Sequence, residues 1–286
     1  MRLFSHLYND EPHLGTYRDG QAVDLGPGCL LSILQENRLG DLLRSTTSTR
    51  ELSQDTIRYL PPIMRPPKII CVGLNYRGHR DEAGVDKVAK YPDFFTRFAT
   101  SLTGHDDRIE KPRCSDALDF EGELAVVIGA HARNLSSADA LNIVAGYSVF
   151  NDGSVRDYQF RASQWTWGKN FDRTGGFGPD LVTPDELPRS VERGLRIQTR
   201  LNGTVMQSAS TADLIFDLPT LITMLSEAMT LEPGDVIVTG TPSGVGLARK
   251  PPVYMVDGDA VEVEIEGVGL LRNVVRDEQT ATQGNA

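Results

Sequence analysis

The chain has 286 residues, with 39 Asp and Glu against 29 Lys and Arg, a formal charge of −10 and a pI near 5.0. That acidic balance argues against nucleic acid or an anionic membrane as the partner and favours a small molecule. The length supports a substantial core, and Cys29, Cys71 and Cys114, odd in number and far apart without C-x-x-C spacing, point to neither a disulfide framework nor a structural zinc site.

From the N-terminus, residues 1 to 6 lead into no apolar signal core, and no apolar run reaches membrane-spanning length, so a cytoplasmic protein is expected. Asp19-Gly20 between extended segments predicts a β-hairpin over residues 13 to 25. Leu30, Leu31, Ile33, Leu34, Leu39, Leu42 and Leu43 recur at helical spacing, with a break predicted near Gly40. Pro61, Pro62, Pro66 and Pro67 form an extended linker composition, which sets the expected boundary between a small N-terminal domain, 1–65, and a larger domain, 66–286.

A strand is predicted over 69 to 72, where Cys71 reads as a small buried hydrophobe rather than a nucleophile. If residues 78 to 83 are helical, His79 and Glu82 are i, i+3 neighbours, and the carboxylate can orient the imidazole as a base. The bland alternative is an exposed helix that happens to carry both. Residues 84 to 106, of mixed polarity, suit a mobile cover over a site.

The run Asp119-Phe120-Glu121-Gly122-Glu123-Leu124-Ala125-Val126-Val127-Ile128 reads as a buried strand with two carboxylates at its mouth. Residues two apart on a strand share a face, so Glu121 and Glu123 project together and call for a hard divalent cation between them. Asp152, in the turn-like Asn151-Asp152-Gly153-Ser154 after a second apolar run, is the candidate third carboxylate. The alternative places both glutamates on the solvated face of an edge strand. Gly175, Gly176, Gly178 and Pro179 read as a flexible loop, Asn202-Gly203 as a hairpin turn, and 218 to 229 as an amphipathic helix. The glycine-rich stretch 239 to 246 lacks the lysine of a phosphate-binding loop, but its backbone N–H groups could hold a carboxylate. Strands over 261 to 265 and 269 to 275 and a polar tail from Thr280 complete the pattern.

Five of these stretches together resemble the fumarylacetoacetate hydrolase family. They are Val72-Gly73-Leu74-Asn75-Tyr76 with His79 and Glu82, Asp119-Phe120-Glu121-Gly122-Glu123-Leu124, Asn151-Asp152 with Arg156-Asp157, Gly168-Lys169-Asn170-Phe171-Asp172, and Thr239-Gly240-Thr241-Pro242. Five linked motifs in order are far more specific than any one. The resemblance implies an α+β fold in which a mixed β-roll or sandwich catalytic domain follows a small N-terminal α+β domain, usually in a homodimer. It implies Mg²⁺ or Mn²⁺, with Ca²⁺ as a further option, on Glu121, Glu123 and Asp152. It also implies a His79–Glu82 acid/base dyad on a lid, Lys169 and Gln159 at the reacting centre, and Thr241 on a substrate carboxylate.

Three departures bear on the substrate. Arg97-Phe98 stands where many relatives carry Lys-Pro, and a guanidinium fork either replaces that lysine or reads a different substrate group. Gly153 replaces a commoner valine or isoleucine, and Arg173 to Phe177 replace a segment that often holds proline. The expected function is a divalent-metal-dependent hydrolase that cleaves a C–C bond in an acylpyruvate-like or other 2,4-diketo acid from sugar or aromatic catabolism. Its alternatives are a 2-oxo acid decarboxylase and an isomerase of the 2-hydroxymuconate or hydroxyheptadienedioate type, since all three share a metal-stabilised enolate. A non-catalytic binding protein that keeps the fold is the remaining reading, opposed by the full set of carboxylates, the dyad and Lys169.

Overall fold

The computed structural model describes residues 1–45, 50–85 and 90–279; the polar tail from Thr280 and residues 86–89 of the expected cover lie outside them. Twelve described strands form one mixed sheet and five form a second. At the centre of the large sheet, Gly122–Ile128 runs antiparallel to Val144–Asp152 on one side and to Val236–Val238 on the other. Outward on the second side, Ile69–Gly73 pairs in parallel with Val236–Val238, and Asp93–Arg97 forms the edge.

Alternation explains why the central strands have two buried faces. Leu124, Val126 and Ile128 join one apolar cluster, and Ala125 and Val127 join the other. The first cluster lies against the five-stranded sheet, whose strand Ala260–Ile265 buries Val261, Val263 and Ile265 and turns Glu262 and Glu264 outward onto Arg200 at 2.9 and 2.8 Å. It also receives Leu218, Leu221, Ile222 and Leu225 from the helix Leu218–Ala228, which opens with the Asp217 carboxylate accepting from Thr220 N at 2.9 Å.

On its other flank the large sheet continues from Val144–Asp152 through Gly175–Val182 to Arg2–Tyr8, Glu11–Arg18 and Gln21–Pro27. The segments before and after the proline cluster therefore share one hydrogen-bonded sheet.

Several local expectations are corrected. The helical stretch near residue 30 is two helices, Leu30–Gln35 and Leu39–Ser45, and the break falls at Asn37, where φ is +53°, rather than at Gly40. Asn151 and Asp152 belong to a strand, not a turn. Part of the described stretch of the expected cover is ordered into the large sheet: Asp93–Arg97 is a strand that pairs residue for residue with Ile69–Gly73. Gly175–Val182 is not a flexible loop but a wholly buried strand. Its glycines serve close approach: a Cβ on Gly175 would sit 2.8 Å from Arg97 Nη2, and one on Gly176 would sit 2.6 Å from Asn273 Oδ1.

Candidate active site

Gly122 is the pivot of the Glu-Gly-Glu stretch. A Cβ there would lie 2.1 Å from Thr199 Oγ1 in the small sheet, so no side chain fits on that face. Glu121 and Glu123 turn to the other face, and Asp152 arrives beside them from the neighbouring strand, its N–H donating to Glu121 O at 2.8 Å. One oxygen from each of the three buried carboxylates lies within 4.8 Å of the others.

Cations surround this cluster unevenly. Lys169 Nζ donates to Glu121 Oε2 at 2.5 Å and Asp152 Oδ2 at 2.6 Å. Arg97 Nη1 donates to Asp152 Oδ1 at 2.6 Å, and Arg156 Nη2 lies 2.7 Å from Glu121 Oε1. Glu123 forms no salt bridge among the described residues and receives only Gly240 N, at 2.5 Å. The titrations follow this asymmetry. Burial, then the Asp152 and Glu121 charges, push the Glu123 carboxyl well up. Burial also opposes ionisation of Glu121, but Arg156 and Lys169 overcome it and hold that carboxyl far below its usual range. Lys169 is raised, since the neighbouring carboxylates outweigh its burial. A set of hard oxygen donors with one member uncompensated fits a divalent cation of the Mg²⁺ or Mn²⁺ type.

The glycine-rich loop does hold carboxylates, and they are the protein's own. Gly240 N donates to Glu123, Gly244 N to Glu82 Oε1 at 2.9 Å, and Gly246 N and Leu247 N to Asp119, each at 2.8 Å. Gly240 and Gly244 have φ of +102° and +103°, which side-chain-bearing residues rarely adopt. Asn75, fully buried, fastens the loop from below: its Nδ2 donates to Thr239 O and Phe216 O, and its Oδ1 accepts from Phe216 N.

Above the carboxylates lies a cavity of about 340 Å³. His79, Glu121, Glu123, Arg156, Gln159, Lys169 and Thr241 line its polar part, and Phe95, Phe160, Trp165, Val245 and Leu247 its apolar wall. His79 sits on the helix Arg77–Glu82, with Nδ1 3.2 Å from Glu82 Oε2. Gln159 Oε1 accepts from Arg156 Nη1 at 2.9 Å, and Thr241 Oγ1 accepts from Gln207 Nε2 at 2.8 Å while donating to Gly122 O at 3.1 Å.

Residues 68–276 match the model of the fumarylacetoacetate hydrolase C-terminal domain. The chain belongs to the fumarylacetoacetate hydrolase family. It is 39% identical, over 96% of its length and 91% of the relative's, to the mitochondrial oxaloacetate tautomerase Fahd2a of Rattus norvegicus. Its structure superposes on a fumarylacetoacetate hydrolase from psychrophilic Exiguobacterium antarcticum with a TM-score of 0.86 at 37% identity, covering 97% of this chain and 100% of the other. A maleylpyruvate hydrolase from Sphingobium sp. SYK-6, solved with manganese(II) and pyruvate, gives 0.80 at 28% identity over 98% and 100%.

Within this family fold, the nine predicted site residues gather in one region, with Glu82 placed behind His79 and Arg97 behind Asp152. Arg97 was expected to read the substrate, but its side chain is 0% exposed, lies off the cavity wall and is sealed onto Asp152. Besides Asp152 it binds Gly153 O, Thr174 Oγ1 and Ser101 Oγ at 3.0, 2.8 and 3.1 Å. Gly175 leaves room for the guanidinium, and Gly153 for the neighbouring backbone, since a Cβ on Gly153 would meet Thr174 O at 2.1 Å. Sequence reasoning left three site residues unassigned: Asp119, Arg156 and Asn75. Asp119 Oδ2 accepts from Arg156 Nε at 2.8 Å, so Arg156 ties Asp119, Glu121 and Gln159 together. Both residues stood in the motifs, but nothing local paired them.

Proposed function

We propose that this chain is a divalent-metal-dependent enzyme that moves a proton at the carbon next to the keto group of a small 2-oxo acid, interconverting its keto and enol forms. The observation that carries this reading is that His79, with Glu82 behind it, lines the same cavity as Glu121, Glu123 and Lys169. Glu121, Glu123 and Asp152 would hold the cation, which would supply Lewis-acid polarisation of the keto oxygen. Lys169, anchored between two carboxylates, adds fixed positive charge where the enolate oxygen develops. His79 takes or returns the carbon-bound proton, and Glu82, fixed by Gly244 N, keeps the imidazole oriented. Gln159 and Thr241 position the substrate carboxylate. The oxaloacetate tautomerase relative supports this reading ahead of the hydrolase first expected.

Hydrolysis of a 2,4-diketo acid is the second reading, favoured by the apolar wall of Phe95, Phe160 and Trp165, which extends the cavity beyond the needs of a short diacid. Decarboxylation and hydroxymuconate-type isomerisation would draw on the same enolate. The deciding experiment supplies Mg²⁺ or Mn²⁺ with a panel of oxo acids. Loss of the enol ultraviolet band without fragmentation supports tautomerisation, whereas two smaller acids or CO₂ would replace it with hydrolysis or decarboxylation. No turnover on the panel would leave a binding protein. The homodimer expected from the resemblance is part of the same proposal, and a monomer in sedimentation at working concentration would remove it.

A further inference from the structure

The N-terminal strands carry a second cluster of donor atoms, outside the active site. His6 and His13 stand directly opposite each other on Arg2–Tyr8 and Glu11–Arg18. Asp24 comes from Gln21–Pro27, where the register shifts: Gly15 pairs with Asp24 and Leu14 with Gly26, leaving Leu25 as an extra residue. Gly26 takes φ +99°, and such a bulge re-aims the adjacent side chain. Asp24 Oδ1 lies 3.2 Å from His6 Nε2 and 2.9 Å from His13 Nδ1, and all three residues are buried.

We propose that His6 Nε2, His13 Nδ1 and Asp24 Oδ1 form a binding site for a borderline divalent cation, zinc foremost, that ties the three N-terminal strands together. Two imidazole nitrogens and one carboxylate oxygen are a zinc-type donor set, unlike the all-oxygen set of the active site. Metal–ligand bonds of about 2.0–2.2 Å at tetrahedral angles place ligand atoms roughly 3.4 Å apart. The two separations from Asp24 Oδ1, 3.2 and 2.9 Å, need to open by only a few tenths of an ångström, and all three donor atoms lie within 4.8 Å of one another.

Asp24 is already oriented by partners behind it: Oδ1 accepts from Gly26 N at 3.0 Å and Oδ2 from Arg50 Nη2 at 3.1 Å. The Arg50 side chain is 41% exposed, so water screens its charge from the ion. Among the described residues no fourth His, Cys, Asp or Glu joins the group, so water completes the shell. None of the three lines the catalytic cavity, which makes the role structural.

A hydrogen-bonded triad without metal would give the same distances, and metal uptake separates the two. The full chain, saturated with Mg²⁺, is incubated with Zn²⁺, dialysed, and analysed for zinc per chain; Co²⁺ is titrated in parallel and its visible ligand-field absorption recorded. One zinc per chain should survive in Glu123→Ala, which disables the all-oxygen site, and should be lost in His13→Gln and in the isosteric Asp24→Asn. The tetrahedral Co²⁺ band should follow the same pattern. Zinc absent from Glu123→Ala, or fully retained in Asp24→Asn, overturns the site. The Glu123→Ala measurement decides even if the triad variants fail to fold.

Discussion

His79 and Lys169 line one cavity, but their surroundings give them different work. Lys169 is locked onto two carboxylates, whereas among the described residues His79 pairs only with Glu82. His79→Ala should therefore lower kcat by ~10²–10⁴-fold and leave metal affinity nearly unchanged. Glu82→Gln, which keeps the shape, should lose less; steady-state kinetics beside calorimetric metal titration checks both, and near wild-type turnover by His79→Ala would return the residue to a surface role. Glu123→Ala should abolish calorimetric Mg²⁺ binding and turnover together, because among the described residues this carboxylate has no cationic side chain to release. Full activity of that variant, or of wild type after exhaustive chelation, would remove the metal. Whereas Lys169 came only through the family resemblance, Glu121, Glu123, His79 and Glu82 were legible from sequence because the signals are local: i, i+2 on a strand and i, i+3 on a helix. Arg97 was not. Its partner Asp152 is 55 residues away, and nothing in the Thr-Arg-Phe context shows that the guanidinium is sealed inside.

At the scale of elements, the strands were legible where alternation or a turn dipeptide marked them, and misread where glycine did. Gly-Gly-Phe-Gly-Pro suggested freedom, yet the strand Gly175–Val182 uses absent side chains to admit Arg97 and Asn273. The same reasoning predicts that Gly122→Ala, which must displace Thr199 or Val263, lowers stability by about 1–3 kcal/mol in urea unfolding and weakens metal binding with it. An unchanged urea midpoint would mean the two sheets can yield there. Asp180, opposite Phe4 on the seam with Arg2–Tyr8, offers a pH test. Burial raises its pKa from 3.8 to about 6 despite Arg2 at 3.2 Å. The folded state thus holds this proton more tightly than the unfolded chain, and stability from this group falls as pH rises from about 4 to 6. Asp180→Asn should remove that slope, worth about 1 kcal/mol between pH 5 and pH 8. Parallel urea midpoints for the two proteins across that range would contradict it.

For the whole molecule, the sequence showed a proline-marked boundary but not that one sheet crosses it, since pairing between Arg2–Tyr8 and Gly175–Val182 leaves no local signal. Removing residues 1–65 should bare the edge of Gly175–Val182 together with the apolar surface that Leu3, Leu14, Leu30 and Ile33 cover. The truncated chain is expected to aggregate; a soluble, fully active product would show that the seam is dispensable. The opposite rim has a different meaning. Asp93–Arg97, the outermost strand there, has Ile69–Gly73 as its one sheet neighbour among the described residues, yet its last residue grips Asp152. Rim strands open more often than central ones. Each such opening would let go of Asp152 while Gly122–Ile128 stays closed. Amides of residues 93–97 should then exchange with deuterium faster than those of the central strand, and warming should switch catalysis off reversibly some degrees before the protein melts.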